Sequence, residues 1–425
     1  MRDDDADRQT VTAGSGEPGH RRAERGLDAL NLFVANVQTG FGPFLAVYLT
    51  TQGWTQTSIG LALSVGTIAA MASQLPAGAV VDAVRDKTKI AIFSILAFTA
   101  SALMFTVAPV PLFVYAGQIL HSFSSCTLGP AIVALSLAVA GSAALPLRLG
   151  RNARWSSIGN GAGAVLMGAC GYWISERAVF YLTALMTLPA IAAIVPIARF
   201  TRGPPAGEQA TEEGSTAAQP AETRLPVMSV LGDRRLLTFA ACAAMFTFAN
   251  AAMLPIAAAS ITRQAGDTAS LLIAACIVLP QAIVALISPQ VGRWAQERGR
   301  RFVLLLGFAV LPVRGVLLAL TGNPLPVVAI QVLDGVAAAC FGVMLPLVIT
   351  DIAARSGRLN LALGFVGFTV GIGATLSTTI AGMIADAFGE PAAFLMLAAT
   401  GFAALLLVWL GMPETRPAAS NNDLP

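Results

Sequence analysis

The chain has 425 residues, 56% hydrophobic and 12% charged, with a formal net charge of +3 and a mean hydropathy of +0.72. Ordinary soluble domains carry about 25% charged residues, so a water-soluble globular fold is excluded and most of the chain must be solvated by lipid. Its 26 basic and 23 acidic residues nearly cancel, and no nucleic-acid partner is expected.

Residues 1–26 are poor in apolar side chains and dense in Asp, Arg and Gly, the composition of a disordered tail. They lack the apolar core and cleavage site of a signal peptide. Twelve apolar stretches follow, at about 27–50, 57–82, 89–108, 111–141, 152–175, 177–198, 236–262, 268–292, 301–321, 325–351, 359–386 and 391–412. They are numbered spans 1 to 12 below. Each is long enough to cross about 30 Å of hydrocarbon at about 1.5 Å per residue. Backbone groups in lipid must be satisfied internally, and the alternation of a membrane barrel is absent, so the spans are expected to be helices. Residues 199–235, rich in Pro, Ala, Glu and Thr, are expected to tether an N-terminal bundle (27–198) to a C-terminal bundle (236–412). Residues 413–425 form a C-terminal tail.

Charge placement orients the spans. Of the 26 basic residues, only Arg177 and Arg263 fall in the segments of one side, and only Arg314 lies deep within a span. All the rest share the other side, which the positive-inside rule makes the cytoplasm. Both termini are therefore expected in the cytoplasm, and the protein in the cytoplasmic (inner) membrane. The five cysteines lie inside apolar spans, odd in number and without metal-ligand spacing. They read as small packing residues, and neither a metal nor a cofactor is expected.

The two halves repeat each other at an offset of about 213 residues. Gln118, His121 and Gly129 fall on Gln331, Asp334 and Gly342, Asn36 falls on Asn250, and Gly171 on Gly382. Gly78-x-x-x-Asp82, followed by Arg85, Lys87 and Lys89, falls on Gly292-x-x-x-Gln296, followed by Gly299, Arg300 and Arg301. A duplicated apolar chain is the plan of many secondary transporters, with the substrate site between the repeats.

Twelve spans in two halves, a long middle loop and this Gly-x-x-x-Asp plus basic pattern after span 2 together resemble the major facilitator superfamily, over about residues 27–412. The resemblance implies twelve transmembrane helices in two pseudo-symmetric six-helix bundles. It also implies a cytoplasmic gate built from Gly78, Asp82, Lys87, Gly292, Gly299 and Arg300, with Asp82 bracing it when the protein opens outward. The arginine that drug–proton exporters of the family carry in helix 4 is replaced here by the stretch holding Gln118 and His121. Their Gly-Pro pair late in helix 5 is also absent. Helix 5 carries Gly159, Gly161, Gly163 and Gly168 instead, which suits close helix packing.

Three ionisable residues lie deep in spans: His121, Arg314 and Asp334. Each should face protein or water, because a charge facing lipid costs at least about 2–3 kcal/mol. Counted along the helices, Arg314 and Asp334 lie at similar depths, roughly 10 and 13 Å from the outer surface, and Gly322-Asn323-Pro324 joins their helices tightly. A buried Arg314–Asp334 pair is expected, either as a staple between helices 9 and 10 or as a coupling element. His121 is the second candidate proton carrier. Gln118, Gln331, Asn36, Asn250 and Asn160 are expected to line the central cavity, with Gln38 and Gln281 as weaker candidates.

The sequence thus points to a secondary active transporter, monomeric, moving a small organic solute by alternating access with proton coupling. The alternatives are an uncoupled uniporter or a non-transporting receptor of the same fold. A membrane-embedded enzyme ranks last, for no His-Glu-x-x-His, Ser-His-Asp set or P-loop is present and no catalytic residue is assigned.

Overall fold

A computed structural model describes residues 18–39, 43–54, 56–202, 226–265, 269–354, 356 and 358–416. The described residues form fourteen helices and no strand. They are α1 (Pro18–Thr39), α2 (Pro43–Thr51), α3 (Gln56–Ala83), α4 (Lys87–Val107), α5 (Pro111–Trp173), α6 (Glu176–Arg202), α7 (Val227–Leu231), α8 (Arg234–Ala251), α9 (Met253–Ala265), α10 (Ala269–Glu297), α11 (Arg300–Leu320), α12 (Pro324–Ala353), α13 (Leu359–Phe388) and α14 (Glu390–Gly411).

Ten helical segments are long and apolar enough to cross a membrane. One of these, Pro111–Gly171, has 61 residues, about twice what a crossing needs. It holds spans 4 and 5, which part at Gly141, where φ is 71° and ψ is 170°. Only glycine adopts that backbone without strain. Helix α1 and α2 together cover span 1, so twelve crossings result. Spans 4 and 5 therefore meet at a single residue, whereas an open loop was expected over about 142–151. Helix start signals are local. Asp86 caps α4 by accepting from Thr88 N at 3.0 Å, Asp233 caps α8 through Arg235 N at 2.7 Å, and Asn323 caps α12 through Leu325 N at 3.0 Å.

Three boundaries differ from those expected. Helix α1 starts at Pro18, so 18–26 belongs to a helix, because Ala23 is fully buried and Asp28 finds partners in α5. Helix α6 runs on to Arg202, and α7 lies inside the expected linker. The rest of the expected tails and linker (1–17, 203–225 and 417–425) lies outside the described residues.

The first six spans pack chiefly as α1 on α5 and α6, α3 on α5, and α4 on α5 and α6. The last six pack as α8 on α13 and α14, α10 on α12, and α11 on α12 and α14. Each bundle has an aromatic knot in its core. Phe180 meets Tyr48 and Phe105 edge-on in the first, and Phe246 stacks on Phe341 at 4.0 Å beside Phe308 in the second.

The bundles meet mainly through two helix pairs, α3 with α13 and α5 with α10. Glycines make both crossings. A Cβ on Gly78 would lie 2.1 Å from Asn360 O, and one on Gly364 would lie 2.2 Å from Gln74 O. Across the other pair, Gly292 meets Pro146 O at 2.4 Å and Gly150 meets Ser288 O at 2.4 Å on the same measure. All four contacts lie toward the end that carries the basic loops, so that end is closed.

Candidate functional site

The polar cluster within the membrane region is built on Arg314 of α11, a side chain 1% exposed. Its Nη1 donates to Asp334 Oδ1 of α12 at 2.6 Å and to Asn250 Oδ1 of α8, and its Nη2 donates to Gln331 Oε1 at 2.7 Å. Gln331 and Asp334 reach one guanidinium because i and i+3 share a helix face. Gln331 is fixed in turn by donating to Val327 O at 3.3 Å. Gly315, next to Arg314, packs directly on Ala398 of α14, which holds α11 close to its neighbour. Asp334 keeps 17% of its side chain exposed, so the acid is the more accessible member of the pair.

The structure puts the expected N-bundle residues elsewhere. Gln118, Ser122 and Cys126 form a ladder down α5. Gln118 Nε2 donates to Ala62 O at 3.3 Å, Ser122 Oγ to Gly66 O at 2.8 Å and Cys126 Sγ to Ala70 O at 3.4 Å. That face is spent on α3. His121 points to α4, edge-on to Phe98 with centroids 5.0 Å apart. Asn36 is 3% exposed and packs on bare Gly163. Asn160 is partly buried between Gly159 and Gly163, both of which press on α1. Asn36 and His121 thus occupy the same places in the repeat as Asn250 and Asp334, but the structure brings only the C-bundle set together.

At the basic end Asp82 caps the start of α13. Its Oδ1 accepts from Asn360 N at 3.1 Å and Asn360 Nδ2 at 2.7 Å, and its Oδ2 from Leu361 N at 2.8 Å. This joins the bundles by charge-assisted hydrogen bonds at a helix N-terminus. The repeat-related Gln296 donates to Ala143 O at 3.4 Å. Lys87 Nζ closes the end of α3, donating to Val81 O at 2.6 Å and Val84 O at 2.7 Å. Gly292 lies in the α5–α10 crossing, and Gly299 starts α11 with φ 94°. Arg300 pairs with Asp351 at 2.9 Å.

Sequence reasoning missed two clusters here. Asp28 of α1 pairs with Arg148 and Arg151 of α5, and Arg148 Nε donates to Asn152 Oδ1 at 2.8 Å. The signal was an acid inside the first turns of span 1. The second is Glu414, read as tail, which accepts from Arg300 N at 2.8 Å and Arg301 N at 3.1 Å. Burial acts to raise its carboxyl, but hydrogen bonds from the Arg416, Arg300 and Arg301 backbones outweigh this and hold it below the usual carboxylate range.

A sequence profile of the Major Facilitator Superfamily matches residues 28–263 and again 236–424. The chain belongs to the Major Facilitator Superfamily. Two proteins from strains of Mycobacterium tuberculosis, each named as an uncharacterized MFS-type transporter, are 35% identical to it over 406 residues, 93% of this chain and 94% of theirs. The Escherichia coli fucose:proton symporter FucP superposes with a TM-score of 0.67 at 15% identity, covering 91% of this chain and 97% of that one. The human organic anion transporter TETRAN gives 0.67 at 14%, covering 92% and 100%. At such identities these structures establish the fold alone. Membership makes this chain a multi-pass membrane transporter of small molecules and not an enzyme.

Proposed function

We propose that this superfamily member is a proton-coupled secondary transporter of a small organic solute, working by alternating access in the cytoplasmic membrane with both termini in the cytoplasm. Asp334 carries the proton and Arg314 is its counter-ion. One observation carries the reading: a buried arginine whose one charged partner among the described residues is an acid that stays partly exposed. Desolvation offsets most of the attraction in a buried pair, so the arrangement is a poor staple. It suits an acid that releases its partner on taking a proton. The basic end is the cytoplasmic end, and with Asp82 seated on α13 the protein is closed there and faces outward. The Gly78 and Gly292 crossings separate when it opens inward. His121, packed edge-on against Phe98 of α4, is left to the alternative reading of a neutral residue in the helix packing. The protein acts as a monomer.

The test is transport in liposomes, with the solute found by thermal-shift screening of sugars, fucose among them, and organic anions. Asp334→Asn is expected to lose accumulation driven by a pH gradient while keeping exchange of labelled solute across the membrane. Normal accumulation by this variant, or wild-type flux indifferent to the gradient, would overturn the assignment.

A further inference from the structure

The Arg314 site also says what kind of solute it serves. Nη1 and Nη2 have three acceptors, and of these only Asp334 bears charge; Asn250 and Gln331 are neutral. The arginine Nε is buried without an acceptor. From α10 the nearby titratable group is the Cys276 thiol, which interacts electrostatically with Arg314. From α14 the contacts are Ala398 and Gly401, against Gly315 and Leu311. The sequence of α9 contains no acid, and the one acid of α13, Asp386, is exposed near the end of its helix.

Among the described residues, then, no other acid balances this guanidinium. Arginine does not give up its own proton in a protein. When Asp334 takes a proton, a buried cation is left without a counter-ion, which is the costly outcome for such a pair. A neutral solute leaves it so. A solute with its own negative charge repairs it by taking the acceptor position that Asp334 vacates, and the free Nε–H supplies a further donor on the same guanidinium.

We infer that the solute is an organic anion, a carboxylate in its simplest form, which binds Arg314 in place of the protonated Asp334. One proton and one negative charge enter together, and the net charge of the site is the same loaded and empty. Bringing in the proton favours the anion and bringing in the anion favours the proton, because the two bindings are linked. This inference rests on the reading of Asp334 as the proton carrier.

The test uses the purified full chain in detergent, with acetate as the charged probe and acetamide as its uncharged counterpart at constant ionic strength. Asp334→Asn mimics the protonated acid without depending on pH. Its melting temperature is expected to rise with acetate and not with acetamide. The double variant Arg314→Gln/Asp334→Asn, which has no buried charge to unbalance, should respond to neither. Equal responses to acetate and acetamide in Asp334→Asn, no response to either, or an unchanged acetate response in the double variant would each overturn the inference. Its failure is distinct from failure of coupling. Solute flux that follows the pH gradient alongside an acetate-insensitive Asp334→Asn leaves coupling standing and removes the anion. An acetate-sensitive variant with flux indifferent to the gradient does the reverse.

Discussion

At the scale of single residues, Glu414 illustrates how one carboxylate can organise a loop. It accepts from two backbone N–H groups at the first turn of α11, where a helix presents unpaired donors and the positive end of its dipole. Gly299 makes this possible twice over. Its φ of 94° suits glycine, and a Cβ there would lie 2.4 Å from Glu414 Oε2. Losing a cap of this kind costs about 1 kcal/mol. Glu414→Gln should therefore lower the melting temperature by a few degrees in detergent at neutral pH. The depressed carboxyl contributes fully above its ordinary value near 4.5 and loses its contribution as pH falls through its lower value in the folded protein. The difference between Glu414→Gln and wild type should consequently shrink in acid, and a gap that stays constant down to pH 3 would refute the cap. Asp86, held below the usual range by bonds from Thr88 and Arg202 that outweigh burial, plays the matching part in the N bundle. There the base comes from the end of α6 and the acid from the loop, so the two bundles solve one problem with opposite charges.

At the scale of helices, glycine placement does more than glycine abundance. In the second limb of α5, Gly159 meets α1 so closely that a Cβ would lie 2.1 Å from Leu32 O, and Gly163 meets Asn36 at 3.0 Å, while Gly161 and Gly168 have nothing within 4 Å. Gly159→Ala must push two helices apart and should lower the melting temperature clearly. Gly161→Ala removes backbone entropy in a helix, worth up to about 1 kcal/mol, and should leave stability equal or slightly higher. Similar losses in both variants would refute the packing account. The small-residue character of this helix was legible in the sequence, but which glycines touch was not, because that depends on the angle at which α1 crosses. The Gly141 break shows the same limit from the other side. Neighbouring residues are helix formers, so nothing local distinguishes a loop from two helices meeting at one left-handed residue. Among site residues, Arg314 and Asp334 could be paired from depth and a tight turn alone. Gln331 shares the helix face of Asp334, but Asn250 joining them was beyond reach, since its register toward Arg314 is set by the packing of α8. Asp28 escaped because its partners are Arg148 and Arg151, far along the chain, and no local pattern links residues so distant.

At the scale of the whole molecule, the repeat is also a contact rule. Gly78 on Asn360 and Gly364 on Gln74 become, under one shift along the sequence, Gly292 on Pro146 and Gly150 on Ser288. A pseudo-two-fold axis relating the bundles requires this, since α3 crossing α13 implies α10 crossing α5. The latch departs from the symmetry. Asp82 bonds the backbone N–H of Asn360, but the residue in that place in the N bundle is Pro146, which has no N–H to give. The acid opposite it has become Gln296, which donates to Ala143 O instead. Acid and donor are lost together, so the interface has one charged latch and one neutral seam. Asp82→Asn keeps shape but removes charge from three hydrogen bonds, each worth about 1.5–3 kcal/mol when charged. It should lengthen the distance between spin labels at positions 85 and 358 in a growing fraction of molecules. Adding Gln296→Asp should fail to restore the closed population, because the new carboxylate would face a carbonyl and a proline and find no donor. A double variant that closes as wild type does would mean the latch acts through net charge at this end and not through the N-terminus of α13.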